Sequence, residues 1–179
     1  MIYPILTFGV EVLRQKATPI AEVTDAVCKL AMDMLETMYA SKGLGLAAEQ
    51  VGCTECICVI DVPTDVEKEE CRAENATIAM PLILINPEIL ASEGKQRNEE
   101  GCLSFPEIGA PITRANQVTV TYLDIKGHRQ TVTAKGLLAR ALQHEIDHLN
   151  GILLVDKMSP MQKLSISGQL RRLQAKAKS

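Results

Sequence analysis

Residues 136–149 set the tightest condition on how this chain folds. Gly136-Leu-Leu-Ala-Arg140 runs through Ala141, Leu142 and Gln143 into His144-Glu-Ile-Asp-His148 and Leu149, and stops at Asn150-Gly151. A glycine there ends a helix because it adopts the left-handed turn beyond the last residue. At about 100° per residue, His144, His148, Leu137 and Ala141 share one stripe, and Leu138, Leu142, Ile146 and Leu149 lie roughly opposite. Both sides of such a helix must be covered. Histidines four apart stack on one face and reach a single cation, whereas an imidazole pair buried without a partner is costly. The plain alternative is two surface histidines on a charged face, which the apolar surroundings disfavour.

Glu145 projects to the flank of the stripe, where it can act on a water held by the metal without being a ligand. A catalytic site needs a third protein ligand and an open position. In the zinc-protease pattern that continues His-x-x-Gly-x-x-His, this chain has Gly151 in place but Leu154 where the third His would stand, and no His follows. The third ligand therefore comes from upstream or is a carboxylate such as Asp156. Cys102 is the better candidate: it sits in the polar, Gly-flanked run Glu99-Glu-Gly-Cys-Leu-Ser104, unlike Cys28 on an amphipathic helix. A metal would hold it as thiolate.

The rest of the chain supplies the cover. Residues 25–39 have helical spacing, with Thr24 or Asp25 as cap and methionines as core filling. Strands are expected at 56–62, at 81–86 (stopped by Pro87), at 118–123 and at 128–133, with an acidic solvated loop over 63–80. Ser159-Pro160 opens a last helix. Helix, strands, then helices indicate an α+β fold in one domain over 1–179. The 46% hydrophobic content excludes disorder throughout. No run reaches the ~18 apolar residues of a membrane span, and the start, without a basic leader, reads as that of an unexported, cytoplasmic protein. The six cysteines are then free thiols or ligands. Residues 157–179 carry six basic residues and no acid, leaving 13 basic against 22 acidic residues over 1–156.

Three motifs now coincide in order. Gly43-Leu-Gly-Leu-Ala-Ala-Glu-Gln50, Glu100-Gly-Cys-Leu-Ser104 and Gln143-His-Glu-Ile-Asp-His-Leu149 resemble the signature motifs of peptide deformylases. The resemblance extends from the amino-terminal segment to the final helix, and it implies strands packed around the central His-bearing helix. It implies hydrolysis of the formyl amide of N-formylmethionyl nascent peptides in bacteria or organelles, with release of formate. Cys102, His144 and His148 would match the metal ligands, the ion being ferrous iron in the cell and Zn(2+), Ni(2+) or Co(2+) in preparations. Glu145 would match the general base, and Gln50 with the Leu103 backbone N–H the oxyanion donors. Gly43, Leu44, Gly45, Glu100 and Gly101 fall in the substrate-facing motifs. Leu44, Leu137 and Ala141 offer an apolar slot for methionine, Arg140 laying its stem there with its head in solvent. Glu49 departs from the proline most common in the family, Asn98 from an apolar residue, and Glu107-Ile-Gly109 lacks a basic residue that several relatives carry.

Other readings make distinct demands. A zinc endopeptidase would cut casein internally, yet it lacks the downstream His. Cys53, Cys56 and Cys58 could form a storage site, although no partner Cys-x-x-Cys exists. The basic tail suggests phosphate contacts with ribosomal RNA, against the plainer reading of a solvated helix.

Overall fold

In the computed structural model, which describes residues 1–63 and 68–177, Thr24 caps the first helix, α1 (Asp25–Ala40). Its side chain accepts a hydrogen bond from the Val27 amide, satisfying one of the helix's orphan donors. Met34 and Met38 are fully buried among Ala31, Leu35, Leu46 and Val59, so the methionines do fill core.

Three strands follow in antiparallel register: β1 (Gly45–Ala47), β2 (Ile57–Ile60) and β3 (Leu82–Glu93). β2 is buried at every position, as its β-branched run requires. The strand expected to stop at Pro87 instead continues six residues beyond it. A register shift falls between Ile85 and Glu88, with Asn86 at φ 50°, so Pro87 sits in an irregularity where the ladder asks for no N–H. Asn86 also anchors the amino-terminal segment, bonding both the N–H and the C=O of Ile20. The acidic stretch contains a helix that polarity concealed, α2 (Glu69–Asn75), with Cys71 buried. The Asn75 amide bonds the main chain of Lys135 in both directions. Asp65 and Glu67 of that stretch lie outside the described residues.

β4 (Gln96–Cys102) and β5 (Phe105–Arg114) pair with each other as a separate antiparallel ribbon. β6 (Gln117–Leu123) and β7 (Arg129–Lys135) complete a five-stranded antiparallel sheet in the order β1-β2-β3-β6-β7. Against this sheet lies α3 (Gly136–Leu149). Leu138, Leu142, Ile146 and Leu149 pack onto Cys58, Ile60, Leu84, Val118 and Val120, each such burial contributing about 2 kcal/mol. The opposite side of α3 meets the ribbon. There Gln143 accepts from the Ala115 N–H and donates to the Ala115 C=O. The helix is thus covered on both sides, as its sequence demanded.

The closing helix is broken in two: α4 (Pro160–Ser165) and α5 (Ser167–Ala177). Ser159 caps α4 in a reciprocal box with Gln162. Ser165 then bonds back to the Gln162 carbonyl, and Ser165, Ile166, Ser167 and Gly168 are poor helix formers in succession.

Candidate metal centre and active site

Cys102 ends β4 at the turn into β5, where a register shift follows Gly101. That irregularity brings its sulfur to α3. Cys102 Sγ lies 3.3 Å from His148 Nε2, which lies 3.2 Å from His144 Nε2. Among the described residues these three form the only His, Cys, Asp or Glu group able to hold a metal, with donor atoms within 4.8 Å of one another. Asp156, the alternative ligand, stands apart and accepts from Arg14 and the Leu153 amide. Cys53, Cys56 and Cys58 form no such group, and burial pushes all three thiols up, away from the thiolate a metal needs.

The surroundings prepare the imidazoles as ligands. Glu100 Oε1 sits 2.6 Å from His144 Nδ1, which holds a proton on Nδ1 and turns Nε2 towards Cys102 and His148. Burial, reinforced by the neighbouring His144, pushes His148 well down, into the neutral form that binds metals. His144 is pushed the other way: despite burial, its bonds to Cys102 and Glu100 hold its proton well above the usual imidazole range, a proton that a bound cation would have to displace. One sulfur and two imidazole nitrogens converging this closely fit one divalent cation, with a fourth position open.

Glu100 itself is held by arginines. Arg114 donates to both of its oxygens, at 3.1 and 2.6 Å, and Arg140 donates from Nη1. Despite burial, the bonds to His144 and Arg114 hold the Glu100 carboxyl well below the usual carboxylate range. Arg114 also pairs with Asp147 on α3. Arg140 is 4% exposed, its second nitrogen donating to the Ile112 carbonyl at 3.0 Å. The solvated head expected for Arg140 is therefore wrong. A buried acceptor, Glu100, outcompetes water for the guanidinium.

A cavity of about 540 Å³ opens between β1, the ribbon and α3. All the residues expected to face substrate line it: Gly43, Leu44 and Gly45 on one wall, Glu100 and Gly101 on the ribbon, Leu137, Arg140 and Ala141 on α3. Cys102, Leu103, Gln50, His144 and Glu145 lie along it too. Glu145 is 4% exposed, one oxygen has no hydrogen-bond partner, and burial pushes its carboxyl up to about 7. The glycines make room for side chains: a Cβ on Gly43 would meet Leu103 at 2.8 Å, and one on Gly45 would meet Glu145 at 2.3 Å.

Gln50 reaches the same point. Its Nε2 donates to Ser104 Oγ at 3.1 Å and approaches Cys102 Sγ at 3.6 Å, while its Oε1 accepts from the Ala47 amide. The sequence reading missed Ser104, Arg114, Asp147, and the Phe105 and Ile108 wall of the cavity. Ser104 stood inside a quoted motif. Arg114 and Asp147 gave no local sign, since their partners lie 14 and 33 residues away from Arg114.

An α+β chain whose helix-borne His-Glu-x-x-His pair closes with a strand-end cysteine on one point defines a metal hydrolase. The family model for polypeptide deformylase matches residues 2–164. The chain belongs to that family, metal-dependent enzymes that remove the N-formyl group from nascent peptides. It is 46% identical over 162 residues to the peptide deformylase of Nitrosococcus oceani, 90% of each chain being covered. The crystal structure of a Legionella pneumophila peptide deformylase superposes with a TM-score of 0.83 at 39% identity, covering 98% of both chains. That of the Ehrlichia chaffeensis enzyme in complex with actinonin gives 0.86 at 35% identity over 99% of both. No described helix is long and apolar enough to cross a membrane.

Proposed function

We propose that Cys102, His144 and His148 hold the catalytic cation of this deformylase, that Glu145 moves the proton, and that Gln50 with the Leu103 amide steadies the oxyanion. The observation that carries this reading is the approach of one sulfur and two Nε2 atoms, at 3.2 and 3.3 Å, beside a buried carboxyl at a mostly apolar cavity. When bound, a divalent cation supplies Lewis acidity that lowers the pKa of water towards ~7. Glu145, pushed up to about 7 by burial, is matched to accept a proton near neutrality and return it to the amine as the formyl C–N bond breaks. The Gln50 amide stands 3.6 Å from the ligand sulfur, a weak bond that it can exchange for one to the developing oxyanion.

The methionine side chain fits the slot between Leu44, Leu137, Ala141 and Ile108. Glu100, with Arg140 behind it, orients His144, and Gly43, Gly45 and Gly101 keep the cavity wall thin. Ferrous iron is the proposed cation, and Zn(2+), Ni(2+) and Co(2+) suit the same donors. The proposed partners are N-formylmethionyl nascent chains in the cytoplasm, or in an organelle, handled by one catalytic domain over 1–179. Ribosome contact through α5 belongs to the same proposal. Arg171 and Arg172 are exposed while Leu173 faces the core, leaving a basic side for phosphates. Actinonin, bound by the Ehrlichia chaffeensis enzyme, is expected to raise the melting temperature of this chain.

The test is anaerobic purification, elemental analysis, and formate release from formyl-Met-Ala-Ser against acetyl-Met-Ala-Ser. About one metal per chain and formate from the first peptide alone are expected. A metal-loaded chain that releases no formate rules the reading out.

A further inference from the structure

Glu49 takes no part in the roles above, yet it is 0% exposed on the short turn Ala48–Val51 that also carries Gln50. Neither of its carboxyl oxygens has a hydrogen-bond partner in another residue. The titratable groups facing it are Glu145 from α3, Glu55 from the loop before β2, and the thiols of Cys53, Cys56 and Cys58. All are acids or neutral thiols. No lysine, arginine or histidine pairs with Glu49 among the described residues. Its own backbone N–H favours the ionised form, but burial outweighs it; a buried charge with no counter-ion and no donor from another residue is strongly disfavoured, whereas a neutral carboxyl is tolerated.

We propose that Glu49 is a positioning residue of the deformylation site that works as a neutral carboxylic acid behind Gln50, and that its ionisation lowers turnover. The proposal rests on the function given above. As an acid, Glu49 leaves the turn electrically silent. As a carboxylate, it would add a buried negative charge one residue from a donor to the oxyanion, beside Glu145, and oppose the charge that develops in the transition state. It would also need donors, and finding them would pull on the turn that aims Gln50. Burial, and to a lesser degree the charge of Glu145, hold the Glu49 proton up to about 8, so the change falls just above neutrality.

The experiment compares metal-loaded wild type and Glu49→Gln for formate release from formyl-Met-Ala-Ser between pH 6 and 10, with bound metal measured at each pH. Wild-type kcat/KM should fall about tenfold from pH 7 to pH 9, and that of the variant less than about threefold. A purely structural role would shift the melting temperature and leave the two profiles parallel. Isotope-edited infrared spectra give a readout independent of turnover. The wild-type-minus-variant difference should show a protonated-carboxyl stretch at pH 7, beyond the band that Glu145 gives to both proteins, and that difference should fade by pH 10. Parallel profiles, or no such band, overturn the proposal. Should Glu49→Gln fail to fold, Glu49→Met, of similar length and uncharged, carries the same expectations. If the wild type releases no formate at any pH, the deformylase reading fails instead, and the infrared band alone decides the state of Glu49.

Discussion

Gly45 and Glu145 occupy one space: a Cβ on Gly45 would lie 2.3 Å from Oε1 of Glu145 and 2.7 Å from its carboxyl carbon. The strand that forms one wall of the cavity therefore lacks a side chain where the helix supplies a carboxylate. Gly45→Ala should displace Glu145 without touching the three metal-binding residues. The expected result is full metal occupancy with kcat lowered about 10²-fold, since misplacing a reacting group by ~1 Å costs that much. Elemental analysis beside a formate assay checks it; kcat within twofold of wild type would detach the glycine from the role of Glu145.

Glu100 serves two arginines and a histidine at once. Glu100→Gln keeps the shape but removes the charge that Arg140 and Arg114 share, and among the described residues the buried Arg140 has no other carboxylate partner. Breaking such a buried network costs about 3–5 kcal/mol. His144 also loses the acceptor that fixes its tautomer, which typically weakens metal affinity ~10–100-fold. Denaturant unfolding and metal titration should move together in this variant; a stability loss with unchanged affinity would separate Glu100 from the orientation of His144.

The helix that holds the histidines was legible because its pattern is local: eleven of its fourteen residues are buried, and a two-sided burial writes itself into 3.6-residue spacing. The ribbon was not. β4 reads Gln-Arg-Asn-Glu-Glu-Gly-Cys, mostly exposed, and β5 carries Pro106, Gly109 and Pro111, which disguise a strand whose Phe105, Ile108, Ala110, Ile112 and Arg114 are buried. α2 was hidden by its acids. Gln50, Cys102 and the histidines could be named because motif residues have few alternatives. The solvated reading of Arg140 failed because its partner, Glu100, is forty residues away, and nothing in the flanking sequence says that a long basic side chain turns inward.

Removing the cation should loosen the ribbon from the helix. Cys102 and His148 would lose the group that joins them, and β4–β5 would then be held to α3 mainly by the Arg114 and Arg140 bonds, the Glu100–His144 pair and the Gln143 bonds to Ala115 just beyond β5. Binding to the folded state alone stabilises by about 2.7 kcal/mol at 100 times Kd, so chelation should lower the melting temperature measurably. Hydrogen exchange should rise in 96–114 more than in 117–123. Uniform exchange across both segments would mean that the cation does not tie the ribbon down.

The last prediction concerns stability against pH at Glu49. Unfolded, this carboxyl titrates near its ordinary 4.5; folded, burial holds its proton to about 8. Between those values the folded state carries the extra proton, so stability falls as pH rises, by about 1.4 kcal/mol per unit at most for one group. The contribution is complete below 4.5 and gone once pH has passed through 8. Glu49→Gln cannot titrate, so its advantage over the wild type should widen between pH 5 and pH 8 and stay constant above pH 9. Urea unfolding of both metal-loaded proteins at several pH values measures the difference directly, and effects shared by the two cancel in it. Curves that stay parallel from pH 5 to pH 9 would show that Glu49 is already ionised in the folded chain, and the buried turn would then have to supply a partner for it.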